Sequence, residues 1–140
     1  MKINAFIDGA SRGNPGESGI GVLLIDEAGN TLASINGYIG KATNNIAEYT
    51  ALIACLKKAK DLNCTKITIH SDSELLVRQM NRQYRVRNEG IKEIFERVQC
   101  VLRSAKGGFK CEIKHIKREL NRDADLLANA GIDSKQPIKI

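Results

Sequence analysis

The chain has 140 residues, with 22 Lys and Arg against 16 Asp and Glu and a formal net charge of +6 at pH 7. With 42% apolar and 27% charged residues, 12 Gly and only 2 Pro, the composition is globular and excludes a disordered chain, a collagen and a coiled coil. Its apolar stretches, such as Val22-Leu23-Leu24-Ile25, fall far short of the roughly 20 residues that span a bilayer, so no membrane-crossing helix is expected.

Residues 2 to 8 alternate and then turn apolar, which predicts a strand ending on Asp8. The small and glycine-rich segment from Gly9 to Gly19 reads as a turn. A second strand is predicted from Gly19 to Asp26, a hairpin turn at Glu27-Ala28-Gly29-Asn30, and a third strand from Thr31 to Ile39. The spacing becomes helical from Asn45 to Ala59, with Ile46, Tyr49, Leu52, Ile53 and Leu56 on one face and Lys57, Lys58 and Lys60 near the C-terminal end, where cations suit the dipole. A strand from Lys66 to His70 then closes on Ser71-Asp72, and a helix runs from Ser73 to about Met80, capped by Ser73 or Asp72. A further helix is predicted from Ile91 to Arg103, a fifth strand from Phe109 to Ile116 and a last helix from Asn121 to about Ala130, ended by Gly131. The order βββαβααβα implies an α/β domain over residues 1–140. Its mixed five-stranded sheet has three antiparallel strands first, later strands arriving by crossovers, and helices on its faces.

Met1-Lys2-Ile3-Asn4 leads straight into a strand pattern and not into a secretory signal, so a cytoplasmic location is the expectation. Cys55, Cys64, Cys100 and Cys111 show neither a Cys-x-x-Cys pair nor zinc-finger spacing, and read as reduced, mostly buried thiols. The excess of positive charge points to an anionic partner such as nucleic acid.

Two acids end apolar runs: Asp8 after Ala5-Phe6-Ile7, and Asp72 after Ile67-Thr68-Ile69-His70-Ser71. Both therefore fall at the carboxyl ends of strands, the edge that ligand sites in α/β sheets favour. Glu48 shares a helix face with Leu52 and Cys55, and Asp125 lies among Ala124, Leu126, Leu127 and Ala128. A charge on such a face is costly unless something compensates it. Four converging carboxylates repel until a cation binds. All-oxygen ligation suits Mg²⁺ or Mn²⁺, and two such ions about 4 Å apart can activate a water and stabilise a leaving oxygen in phosphodiester hydrolysis. Each acid taken singly has a local duty open to it, as a turn residue, a cap or a helix N-terminal charge.

Four segments, FIDGASRGNPGESGIGVLL at residues 6–24, TNNIAEYTALIACL at 43–56, IHSDSELLVRQMN at 69–81 and IKRELNRDADLLANAGID at 116–133, together resemble the type 1 ribonuclease H family. The resemblance implies the ribonuclease H-like fold, in agreement with the order of elements. It also implies hydrolysis of the RNA strand of an RNA/DNA hybrid by a two-metal-ion mechanism, leaving 5′-phosphate and 3′-hydroxyl ends. On this assignment Asp8, Glu48, Asp72 and Asp125 are the catalytic carboxylates and hold two Mg²⁺ ions, with Asp8 bridging both. Asn14, Asn44 and Asn45 would meet the minor groove, where 2′-hydroxyls mark the RNA strand. Thr43 would lie near a phosphate of the DNA strand, and the main chain from Gly9 through Arg12 to Gly13 close to the RNA.

The chain departs from many bacterial members in three places. Their flexible loop with a His is replaced by Lys117-Arg118-Glu119-Leu120-Asn121, which resembles a subgroup with R-E-x-N and puts Arg118 forward as the phosphate-attracting member of the site. His115 alternates with Phe109, Cys111 and Ile113 and reads as a strand residue. The basic protrusion is absent, and Arg82, Arg85 and Arg87 with Tyr84 form a smaller substitute for phosphate contacts and stacking. Glu74 stands where many members carry a Gln that reaches the hybrid, and an ionised carboxylate cannot donate there. With no added hybrid-binding domain, weak and salt-dependent binding by a monomer is expected. The alternatives are an idle hybrid- or RNA-binding module on the same fold, and a nuclease that also takes double-stranded RNA.

Overall fold

Along the first strand, buried Ile3, Ala5 and Ile7 alternate with Asn4, Phe6 and Asp8, so the two sets lie on opposite faces of a sheet. The computed structural model describes residues 1–105, 107 and 109–138. Its strands are β1 (Lys2–Gly13), β2 (Gly16–Ile25), β3 (Thr31–Ala42), β4 (Lys66–Ser71) and β5 (Lys110–His115). They form one five-stranded sheet in the order β3-β2-β1-β4-β5. The first three pair antiparallel, and β4 and β5 add in parallel to β1 and to each other. Among the described residues four helices complete the fold, α1 (Asn44–Asp61), α2 (Glu74–Met80), α3 (Glu89–Ser104) and α4 (Arg122–Ser134), together with a 3-10 turn at Arg118–Leu120.

Caps set the helix starts. Thr43 Oγ1 accepts from Ile46 N at 3.2 Å, Ser73 Oγ from Leu76 N at 3.2 Å and Asn88 Oδ1 from Ile91 N at 3.1 Å. α1 is buried well beyond its predicted stripe, because Ala47, Ala51, Ala54 and Ala59 are covered along with Tyr49, Leu52, Ile53 and Leu56. It lies between the sheet and α3. Burial of Ile20, Val22, Leu24, Ile67 and Ile69 against these helices makes the main core.

Three expectations are corrected. The stretch from Gly9 to Gly19 is not one turn: β1 runs on to Gly13, β2 starts at Gly16, and the chain reverses at Asn14-Pro15. Small residues there hide a strand pair that lets helices approach closely. β3 continues past Ile39 to Ala42, because Gly40 takes φ 76° beside a register shift at Ser18/Gly19 that keeps the strands paired. Gly131 does not end the last helix. It sits inside α4, where an added Cβ would lie 2.5 Å from the Gly37 carbonyl oxygen, and the helix ends at Lys135 in the left-handed conformation with φ 54°.

Glycines also show which face each helix takes. A Cβ on Gly9 would strike the α1 backbone, whereas on Gly19 and Gly21 it would strike α4. Gly9 pairs with Ile20 between those two glycines, so α1 and α4 lie on opposite faces. No helix among the described residues is long and apolar enough to cross a membrane. All four cysteines are free thiols; Cys55 and Cys64 are buried, Cys111 is half-buried and Cys100 is exposed.

Candidate active site

The last rung of the parallel β1–β4 ladder is Ile7 opposite Ser71. The next residues, Asp8 and Asp72, therefore leave the ladder side by side at its carboxyl end. β1 carries on along β2, and α1 lies directly on it: a Cβ on Gly9 would be 2.3 Å from Ala47 C and Glu48 N. That contact brings Glu48 to the same point. One carboxylate oxygen from each of Asp8, Glu48 and Asp72 lies within 4.8 Å of the others.

Asp125 joins from the opposite face. α4 settles on the sheet through Ala124, Ala128 and Gly131, all buried, against Gly21, Gly19 and Gly37. Asp125, in its first turn, lines a cleft of about 420 Å³ together with Asp8, Glu48, Asp72, Arg118 and Asn129. Asn129 Nδ2 donates to Asp125 Oδ1 at 3.4 Å. Asn121, only 1% exposed, donates through Nδ2 to the Ile7 carbonyl at 2.8 Å and to Asp72 Oδ2 at 3.3 Å.

The electrostatics follow from this crowding. Burial above all, then the charge of Asp72 and contact with Asp125, push the Asp8 carboxyl up to about 8 from its ordinary 3.8. Burial and the neighbouring Asp8 and Asp72 hold Glu48 well above its usual range, against a smaller downward pull from the Gly9 amide. Glu48 Oε2 is buried with no hydrogen-bond partner among the described residues. None of the ion pairs among the described residues involves the four acids.

The reverse transcriptase-like family matches residues 6–131. The ribonuclease HI of Halobacterium salinarum is 38% identical over 133 residues, which are 94% of this chain and 65% of that protein. A bifunctional protein of Mycobacterium tuberculosis is 35% identical over 96% of this chain and 36% of its own length. The crystal structure of the Halobacterium RNase H1 superposes with a TM-score of 0.89 at 36% identity, over 96% of this chain and 99% of that one. This chain belongs to the type 1 ribonuclease H family. A second relative of known structure, LC11-RNase H1 in complex with an RNA/DNA hybrid, also has a TM-score of 0.89, at 40% identity over 94% of this chain and 97% of that one. The chain thus spans about two thirds or less of these curated relatives' length but nearly all of the two RNase H1 chains.

The remaining positions singled out by the type 1 ribonuclease H resemblance have distinct surroundings. Thr43 caps α1. Asn14 Oδ1 accepts from Asn44 N at 3.0 Å, tying the β1–β2 turn to the start of α1, where Asn44 and Asn45 are exposed. Gly9 is buried, and α1 supplies the packing reason for a glycine there. Arg12 is occupied: its guanidinium meets Asp133 Oδ1 at 2.7 Å and Asn129 Oδ1 at 3.4 Å. Glu74 pairs with Arg78 at 2.8 Å. Arg118 lies on the 3-10 turn at the cleft, while His115, exposed opposite Ser71 on β5, is not among the lining residues.

Arg82, Arg85 and Arg87 gather in a separate groove of about 1000 Å³ between α2 and α3, with Tyr84, Lys92 and Phe95. Sequence reasoning missed Asn121, Asn129 and Lys92. Asn121 and Asn129 stand four residues before and after Asp125 on one helix face, a spacing that could have pointed to both.

Proposed function

We propose that this chain is a ribonuclease H that hydrolyses the RNA strand of RNA/DNA hybrids and leaves 5′-phosphate and 3′-hydroxyl ends. The observation that carries this reading is the convergence of Asp8, Glu48 and Asp72 on one point, with Asp125 beside Asp8 in the lining of the same cleft. Relatives named ribonuclease HI, and a hybrid in the LC11-RNase H1 structure, support the substrate.

The donor set fits hard divalent cations. It is all oxygen, and among the described residues it buries carboxyls without a basic partner and leaves Glu48 Oε2 unsatisfied. Asp8, Glu48, Asp72 and Asp125 would hold two Mg²⁺, or Mn²⁺, which when bound supply the charge that activates water and offsets the negative charge growing on the phosphodiester. Asp8, which neighbours Asp72, Asp125 and Glu48, would serve both ions. Asn121 keeps the Asp72 carboxylate aimed into the cleft. Arg118 at the rim attracts the scissile strand's phosphate. Asn14, Asn44 and Asn45 present carboxamides to the 2′-hydroxyls of the RNA, and Arg82, Arg85 and Arg87 take phosphates of the other strand. The same proposal treats residues 1–140 as one catalytic domain acting as a cytoplasmic monomer, which light scattering after size exclusion checks for assembly.

Digestion of end-labelled RNA/DNA, RNA/RNA and DNA/DNA duplexes with Mg²⁺, Mn²⁺ or EDTA tests the reading, with Asp8→Asn as the control for contaminating nuclease. The expected result is metal-dependent cutting of the RNA in the hybrid, lost in the variant. Hybrid binding without cutting in any metal would replace the enzyme by a binding module.

A further inference from the structure

We propose that Gln79 is a positioning residue, which seats the hybrid by holding the arginine-bearing loop in register with the acidic cleft; the inference rests on the ribonuclease H reading above. Gln79 is a carboxamide 7% exposed in α2, a place that an apolar side chain of similar volume would also fill. Its two ends are both engaged. Oε1 accepts from the Tyr49 hydroxyl at 2.7 Å, and Nε2 lies 3.5 Å from the main-chain carbonyl of Arg85, to which it donates. Tyr49 is itself 1% exposed and directly follows Glu48 on α1. Its ring meets that of Phe95, which lines the arginine groove from α3, edge to face with the centroids 6.4 Å apart.

The rest of the loop is tied at its ends. Arg82 N donates to Gln79 O at 3.1 Å, and Gln83 N and Tyr84 N donate to Arg78 O at 2.8 and 3.2 Å. The Arg78 guanidinium lies 5.3 Å from the Tyr84 ring centroid, and Asn88 caps α3. Between Tyr84 and Asn88, where Val86 packs against the core, the bond from Gln79 is the one hydrogen bond to the loop's main chain among the described residues. A helix carrying an acid of the cleft is therefore joined through two buried side chains to the backbone that displays Arg85. Phosphate contacts fix the register of a duplex on a protein and supply much of its affinity. A loosened Arg85 segment would thus weaken the seating of the substrate, while the carboxylates keep their own geometry.

Gln79→Leu removes both bonds at nearly constant volume, and Tyr49→Phe removes one while keeping the ring. Binding is read by fluorescence anisotropy of a labelled hybrid in the Asp8→Asn background, and kcat and KM by cleavage in Mg²⁺. Gln79→Leu is expected to weaken binding and raise KM roughly five- to tenfold, with kcat within about twofold. It should add nothing further to the Arg82→Ala/Arg85→Ala/Arg87→Ala triple variant. Tyr49→Phe should show the same signature at smaller size, and decides the matter if Gln79→Leu does not fold. Parallel loss of kcat and Tm, or an equal effect of Gln79→Leu in the triple variant, overturns the positioning role. If the parent neither binds nor cuts the hybrid, the ribonuclease reading and this inference fall together. Normal cutting with an unchanged KM in Gln79→Leu removes this inference alone.

Discussion

Asn121 and Asp72, 49 positions apart, share a hydrogen bond of 3.3 Å at the edge of the acidic cleft. The same Asn121 nitrogen donates to the carbonyl of Ile7, the residue before Asp8. One buried carboxamide therefore fixes the spacing of the two acids at the end of the β1–β4 ladder from the start of α4. Asn121→Ala is expected to lower kcat about tenfold and stability by about 1–3 kcal/mol, measured by steady-state kinetics and thermal unfolding. Loss of stability with full kcat would limit Asn121 to a structural role.

Asp8→Asn replaces a carboxyl crowded by Asp72, Asp125 and Glu48 with an amide of nearly the same volume that cannot ionise against them. Turnover should fall by at least about 10³-fold, while the Tm of the metal-free protein stays level or rises. Retained turnover in a preparation free of other nucleases would sink the assignment of Asp8.

The raised carboxyl of Asp8 also sets a pH dependence. Its folded pKa, about 8, lies above the unfolded value near 3.8, so the folded state holds a proton that the unfolded state has lost between those limits. Stability from this source is complete below about pH 4 and is lost as pH rises through 8. Metal-free protein should therefore show a Tm that falls between pH 5 and pH 8. Asp8→Asn should fall less, and Mg²⁺ should recover more at pH 8 than at pH 5. A melting series in EDTA and in Mg²⁺ checks all three.

Gly131 and Gly37 meet backbone to backbone, with no room for a methyl group between α4 and β3. Gly131→Ala should cost about 1–3 kcal/mol by overpacking, despite the better helix propensity of Ala. Because α4 carries Asp125, activity should fall further than the change in folded fraction explains. Denaturant unfolding and kinetics on the same preparations separate the two effects.

The arginine groove predicts a salt response. Each phosphate neutralised contributes about 0.9 to the slope of log K against log salt on a duplex. The Arg82→Ala/Arg85→Ala/Arg87→Ala variant should therefore lose roughly one unit of slope per arginine engaged. Unchanged slope would make the groove a solvated surface.

The signals legible along the chain were largely local. Period-two and helical spacing marked β1 and α1, a Ser73 or Asp72 cap marked the start of α2, and apolar runs closing on Asp8 and Asp72 marked the edge where a site belongs. Such signals survive because each is written within a few consecutive residues. Tertiary structure alone decided which small residues are contacts. Gly9 and Gly131 looked like turn and terminator until α1 and α4 were laid on the sheet, since a missing Cβ has the same appearance in a turn and under a helix. It also decided which charges have partners: Arg12 meets Asp133, 121 positions away, and Asn121 meets Ile7, 114 positions away. Those pairings depend on how far each layer sits from the next, a distance set by packing across the whole core and recorded in no local pattern.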